Sequence, residues 1–270
     1  IGGLLCDMGA MRMSRSAFTF QFSAWLLAGL VLATTPMPVP AEPSAITAAR
    51  MDIAAAVNLA GHQRMLSQRM VKAYLLLGQG IATDAARTVL QTSLDQFEAQ
   101  LAALKTFQPT PLVKDALARL DAEWTKCKAV LAAAPTKAGA VDLYDASEAL
   151  LKASHQTTLA YENAGNNPRV HLINLAGRQR MLSQRMAKFY LYGAWDIYRD
   201  PADMELHLSR AHYTAVLNQI EASPLASTQA KGSLALLRRE WEPYQQTLFA
   251  SREPADMRRN AARMAELSER

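Results

Sequence analysis

The residues best suited to chemistry lie in two stretches, NLAGHQRMLSQRM at 58–70 and NLAGRQRMLSQRM at 174–186, nearly the same phrase 116 positions apart. Each places a glycine one helical turn before an arginine, Gly61 with Arg64 and Gly177 with Arg180. A guanidinium is a planar fork of donors that can hold a planar oxyanion through two parallel hydrogen bonds. A glycine in mid-helix costs about 1 kcal/mol relative to alanine, and its usual use there is close approach of another backbone or of a ligand. Neither phrase contains a carboxylate to neutralise its arginine. If Arg64 and Arg180 face each other about 6 Å apart, they repel by roughly 2–3 kcal/mol at an effective dielectric of about 20. An anion between them turns that repulsion into attraction, which makes such a site bistable. The candidate ligand-binding residues are therefore Gly61, Arg64, Gly177 and Arg180, with Asn58, Ser67, Asn174 and Ser183 as supporting polar groups. A buried structural salt bridge is the competing role for the two arginines.

Other side chains in the phrase carry less. Arg69 and Arg185 lie about 140° around the helix from the first arginines, where carboxylates of neighbouring helices are their expected partners. Met65, Met70, Met181 and Met186 could hold copper(I), but methionine at helical spacing is mostly core filling. His62 has an arginine as its counterpart, which argues against a metal or catalytic role. No nucleophile with its base, carboxylate pair or metal-spaced cluster stands out, so an enzyme, a cofactor and a metal are not expected. The basic RQRMLSQRM run is interleaved with Leu and Met, a pattern that does not suit nucleic acid.

The elements that must position these residues are helices. Half of the 270 residues are hydrophobic while glycine and proline are sparse, at 12 each, a balance that favours an all-α chain. On a wheel, Leu59, Leu66, Met70 and Leu77 form one apolar stripe for the bundle core. A second, narrower stripe of Val57, Ala60, Gly61, Arg64, Ser67, Gln68, Val71 and Leu75 looks like a helix-to-helix seam. Proline and glycine breaks predict helices near 46–78, 82–107, 111–133, 140–163, 168–198, 201–222, 225–250 and 254–270. Small polar residues directly before Pro111, Pro168, Pro201 and Pro224 read as N-caps, and Pro243 should kink or divide the seventh helix.

Sliding the second half back by 116 sets Tyr213 on Phe97 and Leu217 on Leu101, and at 117 Trp241 falls on Trp124, so the whole unit is duplicated. Over 58–75 the copies agree at fifteen of eighteen positions, differing at 62/178, 71/187 and 73/189. Cores tolerate volume-conserving swaps, so identity of this kind asks for the residue types themselves. Short connections then give two tandem antiparallel up-and-down four-helix bundles, 42–165 and 166–270, with the first helix of each side by side and parallel. Pairing across a homodimer is the alternative arrangement for the two seams.

Residues 12–41 have the layout of a secretory signal peptide: Arg12 and Arg15, an apolar run from Phe18 to Ala33, then small residues with cleavage expected after Ala41. The protein is thus expected in the periplasm, or anchored in the inner membrane if the segment is retained. Removing residues 1–41 takes out Arg12, Arg15 and Asp7 and changes the formal charge from +5 to +4. Mild basicity suits an anion, a membrane surface or an acidic partner without choosing among them. Cys127 would then be the one cysteine, expected as a buried inert thiol.

The phrase NLAGxQRMLSQRM resembles the signature of the N-terminal domain of type IV pili methyl-accepting chemotaxis transducers, the PilJ-type domain. It is also similar to the periplasmic P-box of NarX-type nitrate/nitrite sensor kinases. That second resemblance implies an anion held by a G-x-x-R element, which falls on Gly61 with Arg64 and on Gly177 with Arg180. It implies a non-enzymatic sensory or binding protein for a small oxyanion, nitrate or nitrite, with a membrane receptor or pilus and chemotaxis proteins as partners. The other reading is a helical interaction module that docks on such machinery.

Overall fold

The computed structural model describes residues 51–270, which belong to one contiguous folded unit. The expected signal peptide, and with it the cleavage site and the start of the first helix before residue 51, lies outside the described residues. Eight helices follow one another: α1 (Ile53–Gly78), α2 (Thr83–Lys105), α3 (Pro111–Leu131), α4 (Lys137–Gly165), α5 (Pro168–Ala194), α6 (Arg199–Glu221), α7 (Thr228–Leu248) and α8 (Pro254–Leu267). The fold is all-α. No helix among the described residues is long and apolar enough to cross a membrane.

Local chemistry sets most boundaries. Asp52, Thr110, Thr136 and Asn167 cap α1, α3, α4 and α5 through side-chain oxygens that accept from backbone N–H groups of the first turn, with Pro111 and Pro168 opening α3 and α5. Two of the four proposed X-Pro starts are therefore correct and two are displaced. Asp200 and Pro201 sit inside the first turn of α6, whose cap is Tyr198, and Ser223–Pro224 precedes a turn before α7 begins at Thr228. The reason for the first displacement is a turn built the same way in both halves. Gly80 and Ala82 after α1, and Asp196 and Tyr198 after α5, all have positive φ, so the chain reverses through two left-handed residues at equivalent places. Pro243 lies inside α7 without dividing it.

Within the first half α1 packs on α2 and α4, and α3 on α4; within the second, α5 packs on α6 and α8, and α7 on α8. Neighbours run antiparallel. The Gln63 side chain donates to the Phe97 carbonyl while Arg69 reaches Ser93, and Gly165 at the end of α4 meets Ile53 at the start of α1. The second half repeats these contacts, with Gln179 donating to the Tyr213 carbonyl and Arg185 to Ser209. Phe97 stacks on Trp124 at 4.2 Å and Tyr213 on Trp241 at 4.3 Å, which confirms the register of the duplication.

The halves differ in tightness. α3 buries Val113, Ala116, Leu117, Leu120, Trp124, Cys127 and Leu131, whereas α7 buries only Tyr244 and Leu248 among its described side chains. Burial pushes the Cys127 thiol up to about 12, so it stays protonated as expected. The two halves join through α1 and α5, which run parallel: Gly61 lies against Gly177, and further along Gly78 lies against the ring of Trp195.

Candidate functional site

The site is built where α1 and α5 cross. A Cβ placed on Gly177 would come within 3.6 Å of the Gly61 Cα, so the backbones do approach closely, as the sequence predicts. A nearer obstacle would be the guanidinium of Arg64, whose Nη2 lies 3.2 Å from the Cβ position of either glycine. The two glycines therefore make room for a cation as well as for each other.

Arg64 is fully buried. Arginine side chains on a helix lean toward its N-terminus, and this one reaches across the seam. Its Nη2 donates to the Asn174 carbonyl at 3.0 Å, its Nη1 lies 3.3 Å from Nδ1 of His155 on α4, and its Nε has no partner. No carboxylate among the described residues is within ion-pair distance of it. Burial, with Arg178 and Arg180 nearby, lowers its pKa to about 10, so it remains charged at neutral pH. His155 is held down to about 4 by burial, Arg64 and Arg178. It is thus neutral, and the tautomer with its proton on Nε2 lets Nδ1 accept from Arg64.

Arg180 makes the reciprocal reach, its Nη2 donating to Asn58 Oδ1 at 3.1 Å, but it is exposed. The asymmetry has a structural cause. The second half of α4, carrying His155 and Glu162, lies over Arg64, while the described residues hold no equivalent cover over Arg180: α8 is 14 residues long against 29 for α4. Of the supporting residues, Asn174 is buried and donates from Nδ2 to Glu162, Asn58 is exposed, Ser67 donates to the Arg64 carbonyl within its own helix, and Ser183 lies 3.5 Å from the Ser268 carbonyl. Gly61, Arg64, Asn174 and Gly177 are brought together. Arg64 and Arg180 are not placed across one shared pocket; each lines its own cavity.

The second arginines have the carboxylate partners expected of them, and each has one from the opposite half. Arg69 and fully buried Lys72 of α1 both pair with Glu269, beyond α8. Arg185 and fully buried Lys188 of α5 both pair with Glu148 of α4, and Arg185 also reaches Glu205. Burial brings the Lys72 ammonium down to about 8. Burial alone would raise Glu148, but Lys188 and Arg185 carry it down to about 2.

These clamps frame two quasi-equivalent cavities. One, of about 270 Å³, is lined by Arg64, Glu148, Met181 and Arg185; the other, of about 370 Å³, has Arg180, Glu269, Met65 and Arg69 in the matching places. The rest of their linings has diverged. The first adds Lys152, His155, Arg178 and His212, and the second adds Tyr213, Leu237, Trp241 and Tyr244. Sequence reasoning did not find Lys152, His155 or His212, which sit on α4 and α6 outside the repeated phrase. Arg178 was visible as the charged difference at 62/178, its counterpart His62 being tied to Gln100. No group of three or more His, Cys, Asp or Glu able to hold a metal occurs among the described residues.

The described residues form an all-helical tandem repeat whose halves meet in a duplicated arginine-glycine seam. The chain belongs to the family described as the type IV pili methyl-accepting chemotaxis transducer N-terminal domain, PilJ, which matches it twice, over residues 46–150 and 161–266. No curated protein and no solved structure matches the chain. Membership places it in the sensory, chemotaxis-transducer class of domain and associates it with chemotaxis and pilus machinery.

Proposed function

We propose that the α1–α5 seam binds a small oxyanion, nitrate or nitrite first among candidates, and that the protein is an exported, periplasmic, non-enzymatic sensory or binding protein. The observation that carries this reading is Arg64: a charged, fully buried guanidinium with an unpartnered Nε and no carboxylate within ion-pair distance among the described residues. A buried charge left uncompensated costs several kcal/mol, so a structure that keeps one gains from a ligand that neutralises it. An anion beside Arg64 supplies the acceptor that Nε lacks, with Asn174 next to it, while Arg180, in its own cavity, adds positive charge from across the seam.

The test is thermal shift and calorimetry against a panel of oxyanions. At a hundredfold excess over the dissociation constant, bound nitrate or nitrite should stabilise the fold by about 2.7 kcal/mol. Arg64→Ala combined with Arg180→Ala should abolish the response. No response to any oxyanion, or one that survives the double substitution, sinks the reading. A docking module for pilus or receptor proteins is the second reading, favoured by Met204 and Leu208, exposed one turn apart on α6; it predicts a stable protein complex and no small-ligand response.

A further inference from the structure

The cavity beside Arg64 holds more positive charge than the seam reading uses. Arg64 forms its buried end, Arg178 and Arg185 its half-buried wall, and Lys152 and His212 its exposed rim. Of the three arginines and the lysine, Arg185 is already neutralised by Glu148 and Glu205. Glu148, the one carboxylate in the lining, is shared between Arg185 and Lys188. Glu162, which also acts on Arg64, is occupied by Asn174 and His171. Arg64, Arg178 and Lys152 are left with no carboxylate in ion-pair distance among the described residues.

Between these charges the wall is apolar, made by Leu151, Met181 and Leu182. At about 270 Å³ the space is several times the share of a single water in the liquid. A three-oxygen anion would leave most of it empty and would meet only one end. The lining instead combines cations at its buried and exposed ends with hydrocarbon side chains, which suits a carbon chain bearing more than one carboxylate. The His155 tautomer that accepts from Arg64 leaves its Nε2–H as a further donor.

We propose that this cavity binds a small organic polyanion, a di- or tricarboxylate, with one carboxylate on Arg64 and Arg178 and another toward Lys152 at the rim. The site shares Arg64 with the seam but depends on residues the seam does not use. Arg178 is where the second copy of the phrase departs from the first, and the quasi-equivalent cavity at Arg180 adds Tyr213, Trp241 and Tyr244, its further cation Arg270 being already paired with Glu240 and Glu266. The pocket is therefore particular to one half of the duplication, unlike the phrase that borders it.

Calorimetry on the full chain, with succinate, citrate, inorganic phosphate and nitrate as separate titrants, tests this. Succinate or citrate should bind, and Arg178→Ala or Lys152→Ala should weaken that binding at least tenfold while leaving a nitrate response unchanged. Arg180→Ala should do the opposite, weakening the nitrate response and sparing the polycarboxylate, so that failure of the seam and failure of this pocket are told apart. Lys152 is exposed, and its variant keeps the test valid if Arg178→Ala unfolds. Absence of succinate and citrate binding, binding of phosphate alone, or polycarboxylate affinity unaltered by Lys152→Ala would overturn the proposal.

Discussion

Arg64 has its nitrogens divided among a carbonyl, an imidazole and no partner at all, and the imidazole is the member that titrates. His155 sits at about 4 in the folded chain against about 6.5 when unfolded. A depressed histidine contributes stability that is complete above the unfolded value and is lost as the pH falls toward the folded one. Below pH 6.5 the unfolded chain takes up a proton that His155, buried beside Arg64 and Arg178, refuses even though Glu162 favours it. Stability should therefore fall by about 1–2 kcal/mol on this account between pH 7 and pH 5. Chemical denaturation at the two pH values checks it. His155→Gln should reduce the slope without flattening it, because His62 and His212 are lowered as well; an unchanged slope would show that His155 is not the group responsible. The Arg64 end of this pairing was legible in the phrase. His155 was not, because it lies 91 positions away on a helix whose own pattern marks no chemistry.

At the scale of elements, four cations spaced along the seam helices are held by three carboxylates, of which Glu269 and Glu148 belong to the other half and Glu205 to the same half as Arg185. Glu148 is the informative one, since it alone answers the fully buried Lys188. Removing one partner of a buried pair strands the other charge, whereas replacing the charge by an apolar group of similar volume is often neutral. Glu148→Gln should cost about 2–3 kcal/mol, at or just below the low end for a buried pair because the carboxylate is partly open to water. Lys188→Met should stay within about 1 kcal/mol. Urea midpoints at neutral pH compare them, and equal losses would show that packing rather than charge holds this contact. Helix number, order and most bounds were readable because proline, caps and periodicity are local signals. The start of α6 was misplaced because a left-handed residue such as Tyr198 has no signature when it is not glycine, and that of α7 because Ser223–Pro224 opens a turn rather than the helix.

At the scale of the whole molecule, duplication gives one chain both sides of a seam. The surface α1 presents to α5 is nearly identical to the surface α5 returns, fifteen of eighteen positions over 58–75 being the same. Two parallel helices with matching faces satisfy the requirement for a twofold, self-complementary interface. The first half also has the tighter interior, with α3 well buried, so it has the better chance of keeping its helices when cut away. Released from the second half, it would expose Val71 and Leu75, lose Glu269 from Arg69 and Lys72, and leave Arg64 without the Asn174 carbonyl. Burial of that face against a second copy restores the apolar contact and the carbonyl partner but not the carboxylate. Residues 46–165 expressed alone should consequently form a concentration-dependent dimer, less stable than the full chain and dissociating as it unfolds, whereas the full chain should be monomeric. Sedimentation equilibrium with denaturation at several protein concentrations measures both. A first half that is a cooperatively folded monomer at micromolar concentration would show that the seam is not needed for folding, and that the two halves are independent domains joined by a contact rather than one structure built from two copies.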